Sequence, residues 1–214
     1  MTNEYDFKLK LILVGDTNVG KSSFFNILRN DDPMITSSTV GVDFTSKLYN
    51  INNKKIKITM WDTGGQEKFE CIVRSYFRQL SGVVLMFDLT LKNSFDNLEK
   101  WLELIDFENY CDHKHSILLL GNKRDINNRI IFNNEINKFI ESRDIMYKEV
   151  SCKTDSDLEN IFELFIEKLL SNEYINNCKG VQITDGNISL LDKKINKKKL
   201  KKCCYFYFFI IYII

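Results

Sequence analysis

Residues 9–29 read Leu9-Lys10-Leu11-Ile12-Leu13-Val14, then Gly15-Asp16-Thr17-Asn18-Val19-Gly20-Lys21-Ser22, then Ser23-Phe24-Phe25-Asn26-Ile27-Leu28-Arg29. The first run is apolar and reads as a buried strand. The middle eight residues fit G-x-x-x-x-G-K-[ST], and the last run repeats apolar residues at helical spacing. Strand, glycine loop and helix are the setting this pattern needs. Successive backbone N–H groups and a helix N-terminus then surround an anionic phosphate. In that setting Lys21 reaches the outer phosphates and the Ser22 hydroxyl faces a Mg²⁺ ion. The competing reading, a plain glycine turn with a chance Lys-Ser, is disfavoured by the flanking strand and helix.

The 214 residues allow one domain of about 170 residues plus a tail. Hydrophobic content of 44% and charged content of 28% describe an ordinary globule, and a net charge of +1 argues against whole-protein affinity for nucleic acid. That average hides seven lysines within residues 193–202. Six cysteines show no zinc spacing, and the first residues carry no apolar signal segment. A reduced, cytosolic compartment without structural disulfides is the expectation. Thr2 in place of Gly excludes N-myristoylation.

One proline and nine glycines leave little punctuation, so regular elements joined by short loops should fill residues 1–170. Strands are expected at about 42–50 and 55–61, joined through Asn52-Asn53, a pair that tolerates the positive φ of a hairpin turn. Residues 82–87 and 116–121 are continuous apolar runs, as in strands covered on both faces. Between them, 93–110 places Phe95, Leu98, Trp101, Leu102 and Ile105 at helical spacing. A helix over 134–142, a strand over 145–150 and a helix over 156–170 complete the alternation. The last helix carries the stripe Leu158, Ile161, Phe162, Phe165, Ile166, Leu169, which reads as core. This order predicts a doubly wound α/β domain with its ligand at the carboxyl ends of the strands.

Three further motifs stand where strands should end. In Trp61-Asp62-Thr63-Gly64-Gly65-Gln66-Glu67, Asp62 can hold a hydrated Mg²⁺, Gly65 can offer an N–H to the γ-phosphate, and Gln66 can orient an attacking water. In Asn122-Lys123-Arg124-Asp125, the Asp125 carboxylate can accept two hydrogen bonds from a guanine edge, which adenine cannot supply. Asn122 would meet the purine edge and the Lys123 stem would cover the base. A site built on such buried polar pairs rejects an analogue lacking them by up to roughly 10⁴–10⁵. Ser151-Cys152-Lys153 could supply a backbone N–H to the guanine O6.

Together these four motifs resemble the Ras-like small GTPases. Val40-Gly41-Val42-Asp43-Phe44, Gln66-Glu67-Lys68-Phe69, Ser75-Tyr76-Phe77-Arg78 and Phe87-Asp88-Leu89-Thr90 narrow the resemblance, over residues 7–170, to Rab proteins. It implies a P-loop NTPase fold: a six-stranded, mostly parallel sheet with about five helices on both faces. It also implies GTP and GDP binding with Mg²⁺, slow GTP hydrolysis, and effector binding in the GTP state. By motif, residues 15–22, Ser23, Thr39, Gly65, Asn122, Lys123, Asp125 and Ser151 to Lys153 would bind the nucleotide. Ser22, Thr39 and Asp62 would ligate the metal, and Gln66 with Lys21 would serve catalysis. Phe44, Trp61 and Tyr76 match the aromatic triad that contacts effectors; packing beneath the switches is the plainer reading of the same three. Exchange factors, GTPase-activating proteins, a GDP-dissociation inhibitor or escort protein and the cytoplasmic face of membranes are the implied partners.

The sequence departs from that pattern in places. Thr17 stands where a small residue is usual, Asn18 where Gly is usual, and Gly64 where Ala is usual, so low intrinsic turnover is expected. Residues 26–43 contain no aromatic to stack on the guanine; Asp31-Asp32-Pro33-Met34 stands there instead. A 1–172 GTPase domain is followed by a 173–214 tail, in which Cys203-Cys204 resembles a geranylgeranylation site preceded by lysines that favour an anionic membrane. Ten apolar residues, 205–214, follow that pair, so no C-terminal prenylation box exists as written. Even with the cysteines, a helical tail extends only about 18 Å against a bilayer of about 30 Å. The tail reads as a translation artefact, ahead of a segment removed before lipidation or an apolar anchor. The rival functions are a hydrolysis-deficient, GTP-loaded binding module and an adenine-specific P-loop enzyme. Nucleic-acid binding is weakest.

Overall fold

Strand β1 (Phe7–Val14) begins half-exposed and ends fully buried, because its last four residues are all aliphatic. In this computed structural model the described residues are 5–35, 39, 42–64, 76, 80–108 and 116–171. All lie in the compact unit Thr2–Asn177. Helix α1 (Lys21–Arg29) follows the glycine loop, and β2 (Val42–Ile51) and β3 (Lys54–Thr63) form an antiparallel hairpin. Asn52 and Asn53 close it at φ 52 and 59, the two positive angles that the Asn pair was expected to supply. Strands β4 (Gly82–Asp88), β5 (Ser116–Asn122) and β6 (Ile145–Glu149) extend the sheet in the order β2-β3-β1-β4-β5-β6, with every pairing but β2–β3 parallel. The expected six-stranded, mostly parallel sheet is therefore present.

Five helices occur among the described residues, on both faces. The single helix expected over 93–110 is instead two, α2 (Lys92–Asp96) and α3 (Leu98–Glu108). They meet at Asn97, whose ψ of −6 departs from the helical value and whose side chain is drawn to Asp16. Helices α4 (Asn133–Ile140) and α5 (Leu158–Ser171) complete the chain order.

Strand alternation sorts the core into two layers. Leu9, Leu11, Leu13, Ile56, Ile58 and Met60 face α1 and α5, where Phe162 meets Phe24 and Tyr49 edge-on. Ile12, Val14, Val83, Leu85 and Phe87 face α2, α3 and α4. All seven residues of β4 are buried, as its continuous apolar run requires. Burial on both faces fixes the sheet, and with it the edge at which the motif-bearing loops meet.

Candidate functional site

Two glycines shape the loop after β1. A Cβ on Gly15 would lie 2.2 Å from the Met86 carbonyl oxygen, and one on Gly20 would lie 2.1 Å from Asn122 Nδ2. Both also take positive φ, so other residues are excluded by contact as well as by strain. Asn18 sits at φ 62, an angle asparagine tolerates, and both it and Thr17 are exposed. Helix α1 starts at Gly20 without a side-chain cap, which leaves its first N–H groups to a ligand.

Lys21 is buried, and its ammonium donates to the carbonyls of Gly15 (2.9 Å) and Asp16 (2.6 Å). Burial lowers its pKa to about 8, against the opposing pull of the Asp62 and Asp16 charges. A phosphate beside it would favour the ammonium form and raise the pKa again. Ser22 Oγ donates to Asp62 Oδ2 at 2.7 Å and lies 2.8 Å from Thr39 Oγ1, which itself donates to Asp62 Oδ2 at 3.2 Å. Asp62 is buried at the end of β3, and desolvation raises its pKa. Its Oδ1 has no hydrogen-bond partner among the described residues. Two hydroxyls and a carboxylate with an unmatched oxygen are a hard donor set, which fits Mg²⁺.

At the other end of the edge, the loops are tied to each other. Asn122 Nδ2 donates to the Val19 carbonyl (2.8 Å) and its Oδ1 accepts from the Cys152 N–H (3.0 Å). In the structure the Asn122 amide bridges the phosphate loop to the Cys152 N–H and so ties the two loops together, while the second proton of its Nδ2 is not used in either bond. Ser151 Oγ donates to Asp125 Oδ1 (2.7 Å), while its backbone N–H donates to Asp155 Oδ2 (2.7 Å). Lys153 N–H reaches Ser151 Oγ at 3.2 Å. Asp125 is exposed and keeps its second oxygen for a ligand. Lys123, at φ 67, pairs with the buried carboxylate of Asp88 at 2.6 Å. Burial, then the charges of Asp155 and Asp125, push the Cys152 thiol up to about 12, so it packs as an inert side chain.

Some partners have no local signature. Asp16 accepts from Asn97 Nδ2 (2.6 Å) and Trp101 Nε1 (2.9 Å), which turns its carboxylate towards α3. Trp101 carried only a core signal in the sequence, and Asp88 was quoted without a role. Ser23 is half-buried in the first turn of α1. After α1, Asn26 Nδ2 donates to the carbonyls of Asp32 and Ile35, leaving Met34 and Ile35 exposed. The structure brings Phe44, Trp61 and Tyr76 together, with ring centroids 5.2 Å and 4.7 Å apart in sequence. Gly65, Gln66, Cys203 and Cys204 lie outside the described residues.

Comparisons with known proteins agree with this geometry. The sequence model for the Ras family matches residues 10–171. The chain is 40% identical over 166 residues to Ras-related protein Rab-1D of Dictyostelium discoideum, covering 76% of this chain and 79% of that one. It is 37% identical over 184 residues to Ras-related protein Rab-18-B of Danio rerio, covering 83% and 88%. It is also 33% identical over 206 residues to GTP-binding protein ypt3 of Schizosaccharomyces pombe, covering 92% and 95%.

Proposed function

The chain belongs to the Ras family, in its Rab branch, and on that premise we propose that it is a GDP/GTP-switched regulator of vesicle traffic. It binds guanine nucleotide and hydrolyses GTP, as a P-loop GTPase of that family. The observation that carries the switch reading is the Thr39 hydroxyl, bonded to Ser22 and Asp62 from the segment between α1 and β2. Through it, that segment feels the occupancy of the phosphate site.

In this reading residues 15–22 and Ser23 cradle the phosphates, and Lys21 offsets the charge that develops on the γ-phosphoryl group. Ser22, Thr39 and Asp62 would hold Mg²⁺, which neutralises phosphate charge when bound. Gly65 donates its N–H to the γ-phosphate and Gln66 orients the water. Asp125 reads the guanine edge, held by Ser151, while Asn122 and the Cys152 N–H brace the loops. Lys123, fixed by Asp88, covers the base where no aromatic is available. An activating protein would supply the positive charge for the transition state, worth about 10³–10⁵ in rate. Turnover without it is slow.

The GTPase domain spans 1–172, and 173–214 serves as a membrane-directed tail, with lipidation at Cys203 and Cys204 wherever residues 205–214 are absent. Phe44, Trp61 and Tyr76 meet effectors. Among the described residues no helix is long and apolar enough to cross a membrane. An exchange factor, a GDP-dissociation inhibitor or escort protein, and the cytoplasmic face of intracellular membranes complete the cycle.

Extraction and chromatography of nucleotide from the purified protein tests the reading. GDP or GTP is expected; adenine nucleotide overturns it. Single-turnover hydrolysis with and without an activating protein then separates a slow switch from a GTP-loaded binding module.

A further inference from the structure

The outward face of the β2–β3–β1 end of the sheet carries a row of lysines that the nucleotide site does not use. Register places Lys8 beside Lys57 and Lys10 beside Thr59 on β1 and β3. On β2 and β3 it places Asn50 beside Lys55, Leu48 beside Lys57 and Phe44 beside Trp61. Side chains alternate along a strand, so Lys8, Lys10, Lys55 and Lys57 share one face with Phe44, Leu48 and Trp61. The opposite face of the same strands holds buried Leu9, Tyr49, Ile56 and Ile58.

Lys8 and Lys55 are exposed, and Lys10 and Lys57 are half-buried. Among the described residues, Lys8, Lys55 and Lys57 make no ion pair. Lys57 lies over the Tyr5 ring at 5.4 Å and Lys10 over Trp61 at 5.8 Å. The acid nearest this row in sequence, Asp6, spends an oxygen on the Lys55 backbone N–H at 2.7 Å. The register sets Lys8 beside Lys57 on the neighbouring strand, so two positive charges share one spot on this face. The exposed Phe44 and Leu48 supply apolar area beside the charges.

We infer that this lysine row, continuous through Lys10 and Trp61 with the Phe44–Trp61–Tyr76 cluster, docks an acidic, partly apolar segment of an effector protein. The inference rests on the GTPase-switch reading and adds the partner's chemistry to it. A protein segment fits better than a membrane surface. Exposed Phe44 and Leu48 share the face of Lys8 and Lys57, so one segment carrying both apolar and acidic side chains meets the two kinds of surface together.

The test uses the full chain loaded with a non-hydrolysable GTP analogue. Its probes are a helical peptide with a leucine stripe flanked by glutamates, and the same peptide with glutamines. The glutamate peptide should bind about tenfold tighter at low salt and lose that margin at high salt. The double variant Lys8→Glu/Lys57→Glu should abolish the margin, and Lys8→Gln/Lys57→Gln, which adds no new charge, should reduce it. Lys138→Glu/Lys148→Glu changes net charge equally on the far side of the sheet order and should keep it. Equal binding of the two peptides, or equal loss in both Glu double variants, overturns the proposal. So does a Lys8→Glu/Lys57→Glu variant that releases phosphatidylserine vesicles while still holding the peptide. Guanine-over-adenine selectivity, measured on the same samples, fails only if the GTPase reading itself is wrong.

Discussion

The phosphate end and the base end of the site are built on opposite plans. At the phosphate end polar groups are left wanting. Lys21 is buried with two carbonyls as its acceptors, Asp62 Oδ1 has no partner among the described residues, and α1 begins uncapped. At the base end most of the polar groups are already satisfied by one another, through Asn122, Ser151, Asp155 and the Cys152 N–H. An unsatisfied buried group costs free energy that a ligand recovers on binding, so the first end supplies affinity. A cross-tied loop is ordered before the ligand arrives, so the second end supplies selectivity at little cost in entropy.

The sharpest way to break that contrast is Lys21→Ala, which should cost about 1,000-fold in GTP affinity, or about 4 kcal/mol. Titration with a fluorescent guanine nucleotide reads it, and a loss under tenfold would contradict the division of labour. Next comes Asp125→Asn, which should lower the preference for GTP over ATP by about 100-fold while leaving binding through the phosphates. Competition between the two nucleotides measures this; an unchanged ratio moves base reading elsewhere.

Asn122→Ala should act on the scaffold. Removing its amide strands the Val19 carbonyl and the Cys152 N–H, a destabilisation of about 2 kcal/mol. A thermal melt should fall by about 4–8 °C, with faster nucleotide release. The smallest effect concerns Cys152. Its folded pKa lies above the value of about 9 for an open thiol, so the folded chain keeps the proton that the unfolded chain loses. Its contribution to stability is complete below pH 9 and declines as pH rises towards 12. Iodoacetamide near pH 8.5 should therefore spare Cys152 until the chain is unfolded in urea, as peptide mapping would show. Ready labelling of the folded chain would mean the base end is not closed in advance.

Much of this was legible in the chain because it depends on neighbours in sequence. The glycine loop, the Asn52-Asn53 turn and the apolar runs of β4 and β5 each declare a local conformation, and the structure has them where the sequence puts them. The helix over 93–110 was read as one because apolar spacing passes smoothly through Asn97, where the structure has a ψ of −6 and a side-chain bond to Asp16. The tie that Asn122 makes between the Val19 carbonyl and the Cys152 N–H was not legible, because a motif names a residue type and not the atoms it meets.

The sequence by itself determined that four polar motifs stand at strand ends in one α/β domain, since periodicity and turn chemistry act over a few residues. The tertiary structure decided which atoms meet. Ser22 finds Asp62 forty residues on, and Asn122 reaches back 103 residues to Val19. Strand order and register set those encounters, and they arise only when the two faces of the sheet are buried together.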